Sequence, residues 1–160
     1  MFKVEEQFKY KNYTGVVVFQ DLGYRCGYIG LSQNHPLIHI SVERIDDLIK
    51  YPDKCPDINF SEPDYRDYPI PTSKDIKWWL GFSCDHANNG KDFATVMRYF
   101  GKEVYESSRK ISGIDVIPDM YAGKHIATKE EVENYIKVLI DEIERVISKN
   151  DRDNTEMERN

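Results

Sequence analysis

A chain of 160 residues fits one ordinary domain, large enough to bury about two-thirds of its unfolded surface without help from disulfides or metals. Hydrophobic residues make up 40% and charged residues 31%, which excludes an acid-rich disordered chain, and no run approaches the ~20 apolar residues of a membrane-spanning helix. A formal net charge of −6, with no Lys/Arg run, argues against general nucleic-acid binding.

The N-terminal Met1-Phe2-Lys3-Val4-Glu5-Glu6 is acidic and lacks the basic region and apolar stretch of a secretory signal, so the expected compartment is the cytoplasm. Thr14-Gly15-Val16-Val17-Val18-Phe19 is a short β-branched run. Asp21-Leu22-Gly23 supplies a turn before Tyr24-Arg25-Cys26-Gly27-Tyr28-Ile29-Gly30-Leu31, and the two runs predict a hairpin. In the second strand the period of two places Tyr24, Cys26 and Tyr28 on one face and Arg25, Ile29 and Leu31 on the other. Ser32-Gln33-Asn34-His35-Pro36 then ends the strand. Ile38 to Val42 is expected to form a further strand, and Glu43 to Lys50 a short helix.

Between Tyr51 and Thr72 five prolines exclude a helix interior or a central strand, so the stretch reads as a long stiffened loop and a candidate lid. Ile76 to Cys84 alternates as the central strand, with Ile76, Trp78, Leu80, Phe82 and Cys84 on the core face. Trp79 falls on the other side beside Gly81, where a ring next to a missing side chain would form a shelf for a flat ligand; a helix packed over that face would remove it. Phe93 to Phe100 has weak helical spacing, and Gly101 and the Ser112-Gly113 pair interrupt the chain beyond it. Thr128 with Glu131 is a capping-box signature, and Val132, Tyr135, Ile136, Leu139, Ile140, Ile143, Val146 and Ile147 form one apolar stripe. The expectation is a single α+β domain over residues 1–148, mainly an antiparallel sheet covered by a long C-terminal helix. Residues 149–160 are almost free of apolar side chains and read as a polar, disordered tail.

Chemistry concentrates in Cys84-Asp85-His86-Ala87-Asn88-Asn89-Gly90-Lys91-Asp92, where the aromatic strand meets small polar and ionisable groups. Cys84 and His86, joined by Cys26 or His35, would make a soft metal site, though the paired Cys-x-x-Cys units of structural zinc are absent. Cys84 with His86 and Asp85 or Asp92 would make a thiol catalyst, but an in-phase Cys84 beside Trp78 and Phe82 is expected to be buried and inert. Three cysteines without a pair suit free thiols in a reducing compartment. The third reading is a ligand pocket without turnover. Its residues would be Arg25, Tyr28, His35, Trp79, Asp85, His86, Asn89 and Asp92, with Arg25 facing anionic groups and aromatic rings, 12% of the chain, offering stacking surfaces.

Three blocks carry a resemblance: Gly23-Tyr24-Arg25-Cys26-Gly27-Tyr28-Ile29-Gly30, then His35-Pro36-Leu37, then Trp78-Trp79-Leu80-Gly81-Phe82-Ser83-Cys84-Asp85-His86. With the acidic C-terminal helix they resemble a family of small uncharacterised proteins of bacteriophages and prophages, over residues 15–145. Relatives in that family usually carry a Val-His-Gly-Gly block between the second and third motifs; here the interval holds Asn59-Phe60-Ser61-Glu62-Pro63, so no role of that block carries over. The resemblance implies a phage setting in the host cytoplasm. Together with the pocket reading it leads to the expectation of an accessory protein that sequesters a small ligand, such as a signalling nucleotide of host defence, without a cofactor. The alternative is a protein inhibitor of a host enzyme. A homo-oligomer sharing the pocket is a further expectation.

Overall fold

The computed structural model describes residues 1–64 and 74–159, with side chains described as far as residue 150 and at Arg152. Its first elements are β1 (Phe2–Tyr10), β2 (Tyr13–Gln20) and β3 (Tyr24–Ser32), a meander of antiparallel strands. Lys11 and Asn12, at φ 47° and 68°, close the first hairpin, the two left-handed residues that match the twist of the flanking strands. Gly23, at φ 93°, closes the second, with its N–H donated to the Gln20 carbonyl at 3.0 Å. The hairpin expected from the sequence is therefore present.

After β3 come α1 (Val42–Leu48), β4 (Phe60–Pro63) and β5 (Ile76–Ser83). β5 pairs antiparallel with β3 and, on its other side, with β4, giving the sheet order β1-β2-β3-β5-β4. The expected strand from Ile38 to Val42 does not form. Instead the chain makes tight turns, Ile38 N–H to the His35 carbonyl and Ile40 N–H to that of Leu37, both at 3.3 Å, and Ser41 caps α1 by accepting from Arg44 N–H. Pro36 and a left-handed His39, at φ 63°, oppose extension here. The proline-rich stretch is not wholly a loop, because β4 lies within it at the sheet edge, a place where proline removes no needed donor. The lid expectation falls partly on residues 65–73, outside the described residues.

Three further helices complete the α+β fold: α2 (Phe93–Phe100), α3 (Lys102–Ser112) and α4 (Lys129–Arg159). Gly101, at φ 90°, separates α2 from α3, and Gly113, at φ 77°, ends α3. One half of the expected capping box forms, Glu131 N–H on Thr128 Oγ1 at 3.1 Å, while the Glu131 carboxylate meets the Thr128 hydroxyl and His125 Nε2. The α4 stripe, from Val132 to Val146, packs on Val17, Ile29, Leu31, Leu80 and Phe82 to form the main core. Gly27 permits that approach: a Cβ there would overlap the Phe82 ring and stand 3.0 Å from Ile136 Cγ1 of α4. The α4 backbone continues helically through 149–159, and most side chains of the expected tail lie outside the described ones.

A second apolar layer, Val16, Val18, Cys26, Tyr28, Ile76 and Trp79, occupies the opposite face of the sheet. β1 serves both layers through a bulge at Glu5, between the Val4↔Val18 and Glu6↔Val17 pairs. Before the bulge Phe2 and Val4 pack against the second layer; after it the even-numbered Phe8 and Tyr10 pack against the main core. The extra residue, Glu5, is turned inward.

Candidate functional site

Glu5 finds Arg25 of β3. The Arg25 guanidinium donates from Nε to Glu5 Oε1 at 2.6 Å and from Nη2 to Oε2 at 3.1 Å, a bidentate pair in which both side chains are under 10% exposed. Nη1 donates to the Ala127 carbonyl at 3.0 Å and reaches Asp92 Oδ2 at 3.5 Å, and the group lies 4.9 Å from the centre of the Phe19 ring. Burial opposes the charge, but the hydrogen bonds and charge of Glu5, with Asp92 behind them, outweigh it and hold Arg25 more firmly protonated than usual. Tyr99 of α2 donates its O–H to Glu5 Oε2 at 2.6 Å.

Asp92 has a second duty. As N-cap of α2 it accepts from Thr95 N–H at 3.0 Å and from Thr95 Oγ1 at 2.7 Å, so the same carboxylate fixes the helix start and faces Arg25. Its own N–H donates to the Gly23 carbonyl at 2.8 Å, while Cys84 N–H donates to that of Arg25 at 2.9 Å. The polar segment 85–92 is thereby laced to β3. Over this network opens a cleft of about 410 Å³, lined by Glu5, Arg25 and Asp92 at its floor and by Arg98, Tyr99 and Lys129 around it. Thr128, immediately before α4, and Glu130, in its first turn, also border it. Among the described residues Arg98 has no carboxylate partner, and Lys129 stands 3.5 Å from Glu6.

The sequence-predicted residues do not assemble as one pocket. Arg25 and Asp92 meet in the cleft. Asp85 pairs with Lys91, whose ammonium lies 4.7 Å from the centre of the Tyr24 ring. Asn89 folds back on His86, its side-chain oxygen accepting His86 N–H at 3.0 Å, so both belong to a local turn. Trp79 is fully buried in the second layer and donates its indole N–H to Asp64 at 2.8 Å. The expected shelf is filled from within: the Tyr28 ring occupies the space over Gly81, 2.7 Å from where a Cβ would stand, and packs edge-on against Phe60. Cross-strand packing, rather than a helix, removes the shelf.

His35 stands at the far end of β3. Ser32 pairs with Ile76, while Cys26 pairs with Ser83, which places His35 about 20 Å along the sheet from Asp85 and His86. His35 Nδ1 accepts Leu37 N–H at 3.1 Å, which puts the ring proton on Nε2, 2.8 Å from Tyr13 Oη; the Tyr13 O–H in turn goes to Glu144 of α4 at 2.6 Å. Burial holds His35 below the ordinary histidine range and raises the Tyr13 phenol.

The metal and thiol readings lose their geometry. Among the described residues no three His, Cys, Asp or Glu side chains stand close enough to hold an ion. Cys26 and Cys84 are buried, and burial pushes their thiols up to about 11 and about 12, so neither is a thiolate at neutral pH. Sequence reasoning missed Glu5, Arg98, Tyr99 and Lys129. None of the four carried a signal: Glu5 holds an odd, polar position in the alternation of Phe2, Val4, Phe8 and Tyr10, where a strand charge ordinarily faces solvent. No described helix is long and apolar enough to cross a membrane. No protein-family model, curated protein or solved structure matches the chain.

Proposed function

We propose that this chain is a phage accessory protein that captures a small anionic ligand without turnover, in the host cytoplasm, and that the ligand belongs to the class of signalling nucleotides. The supporting observation is the Arg25 cleft. Its volume of about 410 Å³ falls within the range of small-molecule sites. Arg25 is neutralised by Glu5 and Asp92 and acts as a fixed floor. Arg98 is the cation without a carboxylate partner among the described residues, and Lys129, 3.5 Å from Glu6, borders the cleft at the start of α4, where the helix dipole favours negative charge. Tyr99 offers a ring whose hydroxyl is already anchored on Glu5.

Binding without chemistry is the reading because the cleft offers no activated nucleophile and the carboxylates at its floor, Glu5 and Asp92, are engaged in ion pairs and capping. The test is to incubate the protein with a panel of linear and cyclic nucleotides, remove the excess, and analyse by mass what heat releases. An intact nucleotide, lost in the Arg98→Glu, Lys129→Glu double variant, supports the proposal. Release of a chemically changed nucleotide would instead make the protein an enzyme. Retention of none, with co-purification of a host protein, would favour the inhibitor.

A further inference from the structure

Of the eleven residues of α3, only Ser108 is buried. Glu103, Ser107, Lys110 and Ile111 recur at i, i+4, i+7 and i+8, so they share one face of the helix, and all four are exposed. Ile111 is 68% exposed and makes the apolar end of this face. Beside this stripe lies a groove of about 430 Å³ between α3 and the β2–β3 turn, its apolar wall made by Leu22, Val104 and Ile111 and its floor by Ser108. Among the described residues neither Glu103 nor Lys110 takes part in an ion pair, in contrast to the neighbouring Lys102–Glu106 and Arg109–Asp115 pairs.

This pattern is complementary to its own reverse. A second α3 laid antiparallel, with the twofold axis at Ser107, sets each Glu103 at the level of the mate's Lys110 and Ile111. The small Ser107 side chains let the helices approach. Each Ile111 then arrives at the level of residues 103–104, where Leu22 and Val104 open the groove. An isologous interface needs this reciprocity, in which residue i meets j and j meets i. A partner of one charge sign would satisfy only one end of the stripe.

We propose that α3 forms the twofold interface of a homodimer, with Ile111 of each copy seated in the Leu22–Val104 groove of the other. The stripe and the Arg25 cleft share no lining residue, so this inference stands or falls independently of ligand capture. An eleven-residue helix is about 17 Å long, too short by itself for the roughly 800 Å² per partner of a standard interface. The exposed Val116 and Ile117, just beyond the end of α3, add apolar area at its rim. Association is accordingly expected to be weak and reversible, as in the small interfaces of transient complexes.

Sedimentation equilibrium of the full chain from low to high micromolar concentration tests this. The expected result is a reversible monomer–dimer equilibrium weakened by salt. Ile111→Asp and Lys110→Glu should each raise the dissociation constant at least about tenfold. Glu103→Lys combined with Lys110→Glu should restore it, because the swapped charges again face one another. Ser107→Cys should give an intermolecular disulfide on mild oxidation, absent from the parent chain. Unchanged circular dichroism and melting temperature would establish that the surface variants fold. A monomer throughout the range, a dimer indifferent to Ile111→Asp, or no rescue by the charge swap would overturn the proposal. So would a monomeric chain that uses Ile111 to bind a different protein.

Discussion

Replacing Arg25 by methionine keeps most of the aliphatic stem over Phe19 but removes the guanidinium. Four contacts disappear: two to Glu5 at 2.6 and 3.1 Å, one to the Ala127 carbonyl at 3.0 Å, and one to Asp92 at 3.5 Å. The larger effect is on the groups left behind. Glu5, whose side chain is 4% exposed, keeps only the Tyr99 hydroxyl and becomes a buried carboxylate without a counter-charge. Stranding one member of a buried pair typically costs about 3–5 kcal/mol. For a chain of this size that corresponds to a fall in melting temperature of roughly 6–20 °C. Urea unfolding followed by tryptophan fluorescence reads the change directly, since Trp79 is fully buried in the folded state. Combining Arg25→Met with Glu5→Leu removes the stranded charge and should recover more than half of the loss. A loss under about 1 kcal/mol, or a double variant no more stable than the single, would refute the assignment of Glu5 as the charge that Arg25 satisfies.

Gly27→Ala forces a methyl group into the Phe82 ring and toward Ile136, and should destabilise by about 1–3 kcal/mol, measured by thermal melting. His35 links stability to acidity. Its folded value lies below the unfolded one near 6.5, so its contribution is complete above that value, declines below it, and is gone once pH passes beneath the folded value. His35→Gln should therefore flatten the melting temperature against pH below about 6.5. Cys26 and Cys84 should resist iodoacetamide at neutral pH and react fully only in denaturant, as mass analysis will register.

The amphipathic face of α4 was legible because eight apolar residues repeat at one period and its cap has a local signature. β2, β3 and β5 were legible as β-branched or alternating runs between turn residues. β1 was not: Phe2, Val4, Phe8 and Tyr10 keep one even-numbered parity, interrupted only at Glu6, so the bulge that sends them to opposite faces leaves no mark in the sequence. α3 was hidden for another reason, since its buried side is only Ser108 and leaves no apolar stripe to read. The candidate site divides in the same way. The side of β3 that carries Arg25 comes from strand parity alone. The meeting of Arg25 with Glu5, Asp92 and Ala127, across sequence separations of 20, 67 and 102 residues, depends on three pairings that no local pattern specifies. Trp79 was misplaced because its position opposite the core face suggested exposure, whereas the sheet carries apolar residues on both sides.

The offset in the first strand binds the fate of those two sides together. One continuous backbone contributes Phe2 and Val4 to one layer and Phe8 and Tyr10 to the other, and it changes sides at the residue that anchors Arg25. Detaching this strand would open both layers and break the ion pair in a single event. Amide protons in β2 and β3 should accordingly exchange as one set, with a shared opening energy, rather than as an outer face that loosens before an inner one.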